Sequence, residues 1–155
     1  MLEGLLALSR ATIPRFVTKY PNQLRHARTC YDHIAGTLGV ALLDTFLLQG
    51  WLMVDHPVDK ESYSPSNKGL KAFSALGIDV SEFETQRRQF AAPCLDWSER
   101  RPHLRGSLAA ALLRLARKRK WVAGEIDGRA LTLTAKGRHE MSTILGVSFS
   151  KLSPP

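Results

Sequence analysis

The feature that most constrains this chain is an internal repeat. HIAGTLGVALLDTFLLQGWL at 33–52 aligns without gaps with HLRGSLAAALLRLARKRKWV at 103–122, so that His33 falls on His103, Gly36 on Gly106, Leu38 on Leu108 and Trp51 on Trp121. Ala41, Leu42 and Leu43 likewise match Ala111, Leu112 and Leu113. Downstream, Lys68-Gly69 corresponds to Lys136-Gly137 and Leu76-Gly77-Ile78 to Leu145-Gly146-Val147. Upstream, Cys30-Tyr31-Asp32 corresponds to Cys94-Leu95-Asp96, with WSERRP (97–102) inserted before the second histidine. Self-similarity of this kind sets the architecture, because each copy must fold into the same supersecondary unit.

Within one copy the pattern reads as helix, turn, helix, strand, wing, strand, helix. Residues 33–38 have helical character, Gly39 supplies a turn, and residues 40–49 continue as a helix stopped by Gly50. Trp51 to Val54 is a short apolar strand, 55–62 is a loop, Tyr63-Ser64 returns, and Ser66 caps a helix running to about Leu76. The second copy has a tighter wing, with an Asp127-Gly128 turn signal between 121–123 and 130–133, and Thr134 caps its last helix. The expected fold is mainly α with short β-hairpins, an α+β arrangement of tandem winged-helix-like modules. Residues 1–28 form an N-terminal helix and linker, 29–78 and 94–150 the two modules, 79–93 a linker with a surface helix beginning near Ser81, and 151–155 a disordered tail. Leu2, Leu5, Leu6 and Leu8 share a helical stripe that needs a neighbour, either the core of this chain or a second copy in a homodimer.

The charge is distributed unevenly between the copies. Residues 1–85 hold eight Lys and Arg against nine Asp and Glu, whereas residues 86–155 hold fourteen against five, so all of the net +8 lies in the second half. Such a face attracts polyanions without choosing among sequences, and it equally suits a solvated surface. Two cysteines in 155 residues are too few for a secreted disulfide scaffold. There is neither a signal-peptide pattern nor an apolar run long enough to span a bilayer, so a cytoplasmic protein without membrane contact is expected. No GxSxG, phosphate-binding glycine loop or HExxH occurs, and no catalytic residues are expected.

The segments RTCYDHIAGTLGVAL (28–42), CLDWSERRPHLRGSLAAALL (94–113) and LTLTAKGR (131–138) resemble the C-terminal region of a group of ArsR-like winged-helix transcriptional regulators. CYDH and CLDWSERRPHL are the specific parts. The resemblance implies a sensing or dimerising portion of a repressor, with operator DNA gripped by a separate N-terminal winged helix; Met1 falls where that DNA-binding domain would end. The paired cysteines that arsenic and cadmium sensors carry on the recognition helix are absent, so arsenic sensing is not implied.

A recognition helix reads base edges with polar side chains near its N-terminus. In the first copy that position is GVALLDTFLL, almost without donors. In the second, Arg114, Arg117, Lys118, Arg119 and Lys120 cluster at the C-terminal end, where they suit phosphate contact rather than sequence reading. What the copies share instead is Cys, Asp and His. Packing about a pseudo-twofold axis would bring Cys30, His33, Cys94 and His103 together, a Cys₂His₂ set suited to tetrahedral zinc or another soft metal ion, with Asp32 and Asp96 as further ligands. The same thiolates could sense an oxidant. The alternative is structural and needs no cofactor: buried small cysteines, aspartates capping the helices that follow, and histidines bonded to backbone carbonyls. A stand-alone metal- or small-molecule-binding module is the corresponding alternative to a regulator.

Overall fold

The computed structural model describes residues 22–55, 61–124 and 128–149. The expected N-terminal helix at 2–8, the Asp127 half of the second wing turn and the 151–155 tail lie outside the described residues. A short helix α1 (Asn22–His26) precedes β1 (Arg28–Cys30), β2 (His33–Ala35), α2 (Gly36–Leu48), β3 (Leu52–Asp55), β4 (Ser62–Pro65) and α3 (Asn67–Ala75). The second series is β5 (Ala92–Asp96), β6 (Arg101–Arg105), α4 (Ser107–Lys118), β7 (Val122–Ala123), β8 (Thr132–Leu133) and α5 (Ala135–Glu140), which runs into a wider turn at Met141–Leu145. The order hairpin, helix, hairpin, helix therefore occurs twice, and each strand pair is antiparallel.

Two parts of the sequence reading require correction. Residues 33–35 are a strand, and the helix then runs unbroken through Gly39, so the first helix and turn of the expected helix-turn-helix do not form. The reason is Gly36, not Gly39: its φ of 81° breaks the chain between strand and helix, as does Gly106 at 110° in the second copy. A Cβ at Gly36 would lie 2.6 Å from the Arg25 carbonyl oxygen, and one at Gly106 2.6 Å from that of Phe90. Strain and collision act together, so Gly36→Ala and Gly106→Ala are each expected to cost about 2 kcal/mol or more, measured by urea unfolding. An alanine at Gly39, inside α2, meets no left-handed strain, but its Cβ would collide with the Ile34 carbonyl oxygen and lie 3.2 Å from His103 Cβ.

The second correction concerns 79–93. Instead of a surface helix there is a single 3₁₀ turn at Val80–Phe83, begun by Asp79, whose carboxylate accepts from the Ser81 amide. Phe83 and Ala91 are buried, so this polar-looking connection is anchored by its few apolar residues.

The helix caps form at Ser66 and Thr134, and short antiparallel strand pairs form at Leu52–Asp55 with Ser62–Pro65 and at Val122–Ala123 with Thr132–Leu133. The Ser66 hydroxyl accepts from the Gly69 amide and the Thr134 hydroxyl from that of Gly137, each donating back to carbonyls that end with the matched tryptophan. Trp51 stacks on Phe46 with ring centroids 5.4 Å apart and meets Phe73 edge-on, while Trp121 donates its indole N–H to Glu140. Both tryptophans are core.

The two copies interlock reciprocally. Helix α2 of the first packs on β6 of the second, and α4 of the second packs on β2 of the first. The Thr29 amide of β1 donates to the Arg129 carbonyl beside the second wing, and the Tyr63 amide of the first wing donates to the Ala91 carbonyl before β5. One hydrophobic cluster, from Ala27 through Phe46 and Leu108 to Val147, runs through both. The exchange brings β2 and β6 side by side at the centre. Among the described residues no helix is long and apolar enough to cross a membrane.

Candidate metal centre

Each leading hairpin sets a cysteine opposite a histidine, Cys30 facing His33 and Cys94 facing His103. In the first, a two-residue turn with Tyr31 at φ 60° makes this the closing pair. In the second, WSERRP lengthens the hairpin by the pairs Leu95–Pro102 and Asp96–Arg101 and a wider turn. Because strand side chains alternate faces with period two, this even insertion leaves Cys94 and His103 on the same pairing as their counterparts.

With β2 against β6, the buried imidazoles meet. His33 Nε2 lies 3.1 Å from His103 Nε2, and the ring centroids are 5.0 Å apart. One ligand atom from each of Cys30, His33, Cys94 and His103 lies within 4.8 Å of the other three. The histidines are buried and the free cysteines half-buried, so the cluster is closed on its imidazole side and open on its thiol side. From ordinary Zn–N and Zn–S lengths, a tetrahedral site has N–N and S–S edges of about 3.3 and 3.8 Å. The imidazoles already stand at that spacing, and the longest separation closes with side-chain movement of about 1 Å.

The outer ring nitrogens face carboxylates. His103 Nδ1 is 2.9 Å from Asp96 Oδ2, and His33 Nδ1 is 3.4 Å from Asp32 Oδ1. Burial alone would raise the Asp96 carboxyl, but hydrogen bonds from His103, Ser98, the Gly36 amide and Arg28 outweigh it and hold the group far below the usual carboxylate range. The Arg88 guanidinium, opposed by some desolvation, holds Asp32 below that range too. An ionised carboxylate only accepts, so each Nδ1 carries the proton and each Nε2 presents a lone pair. Two lone pairs 3.1 Å apart call for a shared cation, a proton or a metal ion. Desolvation lowers the His33 pKa, against the opposing Asp32 bond, and so disfavours the proton. Burial first, then the neighbouring Cys30, pushes the Cys94 thiol up, a penalty that a bound cation removes by taking the thiolate as ligand.

The charges around the cluster match those of a divalent ion. Asp96 is paired with Arg28 at 3.0 Å, and Asp32 with Arg88 at 2.5 Å. With both carboxylates neutralised, two thiolates balance a 2+ ion and leave a buried site without net charge. Asp32 and Asp96 thus stand behind the histidines rather than among the ligand atoms. Neither caps the helix that follows it in its own copy: Asp96 Oδ2 accepts from the Gly36 amide at 2.6 Å, at the start of α2 in the other copy. The capping expectation fails because a strand, His33–Ala35 or Arg101–Arg105, stands between each aspartate and the helix that follows it. Two partners escaped the sequence reading. Arg28 is fully buried against Asp96, with its guanidinium 4.1 Å over the Trp97 ring, and Arg88 comes from the connection read as surface.

Over 121 residues, or 78% of its length, the chain is 38% identical to YdfF of Bacillus subtilis (strain 168), described as an uncharacterized HTH-type transcriptional regulator. The chain is thus similar to a transcriptional regulator. It spans about half of that relative, 52% of its length. No family model and no solved structure matches the chain.

The basic residues of the second copy are only partly brought together. Arg114, Lys118 and Arg119 line a groove of about 560 Å³ between α4 and the end of α3, shared with Asp79 and Glu82. Arg119 turns toward its own chain, reaching the Leu76 carbonyl and lying 5.3 Å over the Trp121 ring. Arg117 and Lys120 are exposed outside the groove lining. Helix α2, the counterpart in the first copy, is buried along most of its length.

Proposed function

We propose that this chain is the sensing and assembly portion of an ArsR-like HTH-type transcriptional regulator. In it, one zinc-class divalent ion held by Cys30, His33, Cys94 and His103 ties the copies at 29–78 and 94–150 together. The observation that carries this reading is the convergence of two thiols and two carboxylate-backed imidazoles, one of each from either copy, on a single point at the interface. The regulatory half of the reading is supported by the similarity to YdfF, whose length leaves room for a DNA-reading module outside the matched part. In each copy, one helix, a wing-like hairpin and a capped helix resemble the later part of a winged helix, with a metal-bearing hairpin where the first helix would stand.

Operator recognition then belongs elsewhere in the regulator, because α2 is core and α4 offers cations rather than base-reading groups at its N-terminus. Arg114, Arg117, Lys118 and Lys120 supply at most backbone contacts. The test pairs elemental analysis with a gel shift on the purified chain. One equivalent of zinc, lost in the Cys30→Ser/Cys94→Ser variant, is expected, with only weak, salt-sensitive and sequence-independent DNA binding. Metal-free protein of unchanged stability would remove the metal, and tight sequence-selective binding by these residues would overturn the assignment of DNA reading.

A further inference from the structure

The two histidines are backed unequally, and the difference runs through one buried carboxylate. We infer that Asp96 is the positioning residue of the metal site, holding His103 ready for the ion, whereas Asp32 leaves His33 free to close onto it. This rests on the metal reading above and goes further by assigning unequal roles to the two copies.

Asp96 is wholly buried, and the groups around its carboxylate are donors. Oδ2 receives His103 Nδ1 at 2.9 Å and the Gly36 amide at 2.6 Å. Oδ1 receives Arg28 at 3.0 Å, the Ser98 amide and hydroxyl at 3.0 and 2.6 Å, and the Glu99 amide at 3.2 Å. A group clamped from so many directions cannot rotate, and the ring bonded to it is fixed in plane and tautomer. Asp32, on the outer turn, is only partly buried; it holds His33 at 3.4 Å while Arg88, itself exposed, takes both of its oxygens. Metal-bound histidines depend on such outer carboxylates for orientation and basicity, and the dependence grows with the rigidity of the partner.

Asparagine at position 96 offers one acceptor and one donor where the surroundings supply only donors. Whichever way the amide lies, an N–H faces an N–H, either at Arg28 and Ser98 or at Gly36 and His103. In the second orientation His103 is driven to its other tautomer, with the proton on the nitrogen that should bind the metal. Asparagine at position 32 weakens the exposed Arg88 pair, and its amide oxygen can still accept across the 3.4 Å contact to His33.

The experiment is competition of Co²⁺ against a chromophoric chelator for wild type, Asp96→Asn and Asp32→Asn, with the Co²⁺ absorption spectrum recorded for each. Asp96→Asn is expected to weaken Co²⁺ binding about 10- to 100-fold and alter the ligand-field bands. Asp32→Asn is expected to change affinity by less than about threefold, the scale of an exposed pair. A merely structural Asp96 would lower the stability of the metal-free protein while its folded fraction bound Co²⁺ with wild-type affinity and spectrum; that result overturns the inference and leaves the metal reading standing. Wild type that binds no Co²⁺ overturns both. Should Asp96→Asn not fold, the nitrogen chemical shifts of the imidazoles in metal-free wild type decide. His103 with its proton held on Nδ1, at least as completely as His33, supports the assignment; a His103 protonated on Nε2, or held less completely than His33, contradicts it.

Discussion

Stripping the metal with a chelator is expected to lower the melting temperature of this protein by about 8–16 °C, and the Cys30→Ser/Cys94→Ser variant should melt at the same temperature with or without chelator. An ion present at a thousand times its dissociation constant stabilises the folded state by about 4 kcal/mol. A chain of this size shifts by about 2–4 °C for each kcal/mol. The effect is large because the four ligands come from both copies: Cys30 and His33 close one hairpin and Cys94 and His103 pair in the other, so the bound state exists only when β2 and β6 are in place. In the unfolded chain the two Cys–His pairs lie about 60 to 70 residues apart, and the ion gains nothing comparable there. Differential scanning fluorimetry of both proteins, with and without chelator, measures this directly. Equal chelator sensitivity in the two would assign the stabilisation to some other site.

Replacing Arg28 by leucine is expected to be the most damaging single change outside the ligands, at about 3–5 kcal/mol, the scale of a buried ion pair broken from one side. Arg28 is 1% exposed and Asp96 not at all, so the carboxylate left behind cannot reach water. Its remaining donors, His103, Ser98 and the Gly36 amide, hold it in place but carry less charge. The guanidinium also reaches the Leu24 carbonyl and the Ser98 hydroxyl, tying α1 to the second hairpin, and both contacts go with it. Urea unfolding of the metal-free proteins measures the loss. A difference under about 1 kcal/mol would mean that the pair contributes little beyond filling space.

Much of the candidate centre was legible in the chain because it depends on pairing that repeats. Once 33–52 is set on 103–122, the histidine and tryptophan of each copy fall into matched positions, and the cysteines match upstream once WSERRP is set aside. The same reasoning located the caps at Ser66 and Thr134, where a hydroxyl stands three residues before a glycine. It misread the start of each copy. HIAGTL has an apolar spacing that suits a helix, and only tertiary context, the neighbouring hairpin strand and the carbonyls crowding Gly36, decides that His33–Ala35 extends instead. The roles of the aspartates were hidden for a different reason. Alignment makes Asp32 and Asp96 equivalent, but six inserted residues carry one of them into the core and leave the other on the rim. Arg28 had no local signal at all, since an arginine in a three-residue strand reads as exposed until the carboxylate it meets, 68 positions later in the chain, is known.

One hairpin–helix–hairpin–helix unit occurs twice in this chain, and the two copies meet along β2 and β6. Helix α2 is buried along most of its length, and the matched histidines His33 and His103 meet where β2 and β6 lie side by side. X-ray absorption fine structure on the zinc-loaded protein tests the coordination shell most directly. The account predicts one zinc per chain bound by two sulfur and two imidazole nitrogen neighbours, at about 2.3 and 2.0 Å. A shell of oxygen and nitrogen alone, or one containing a single sulfur, would contradict it.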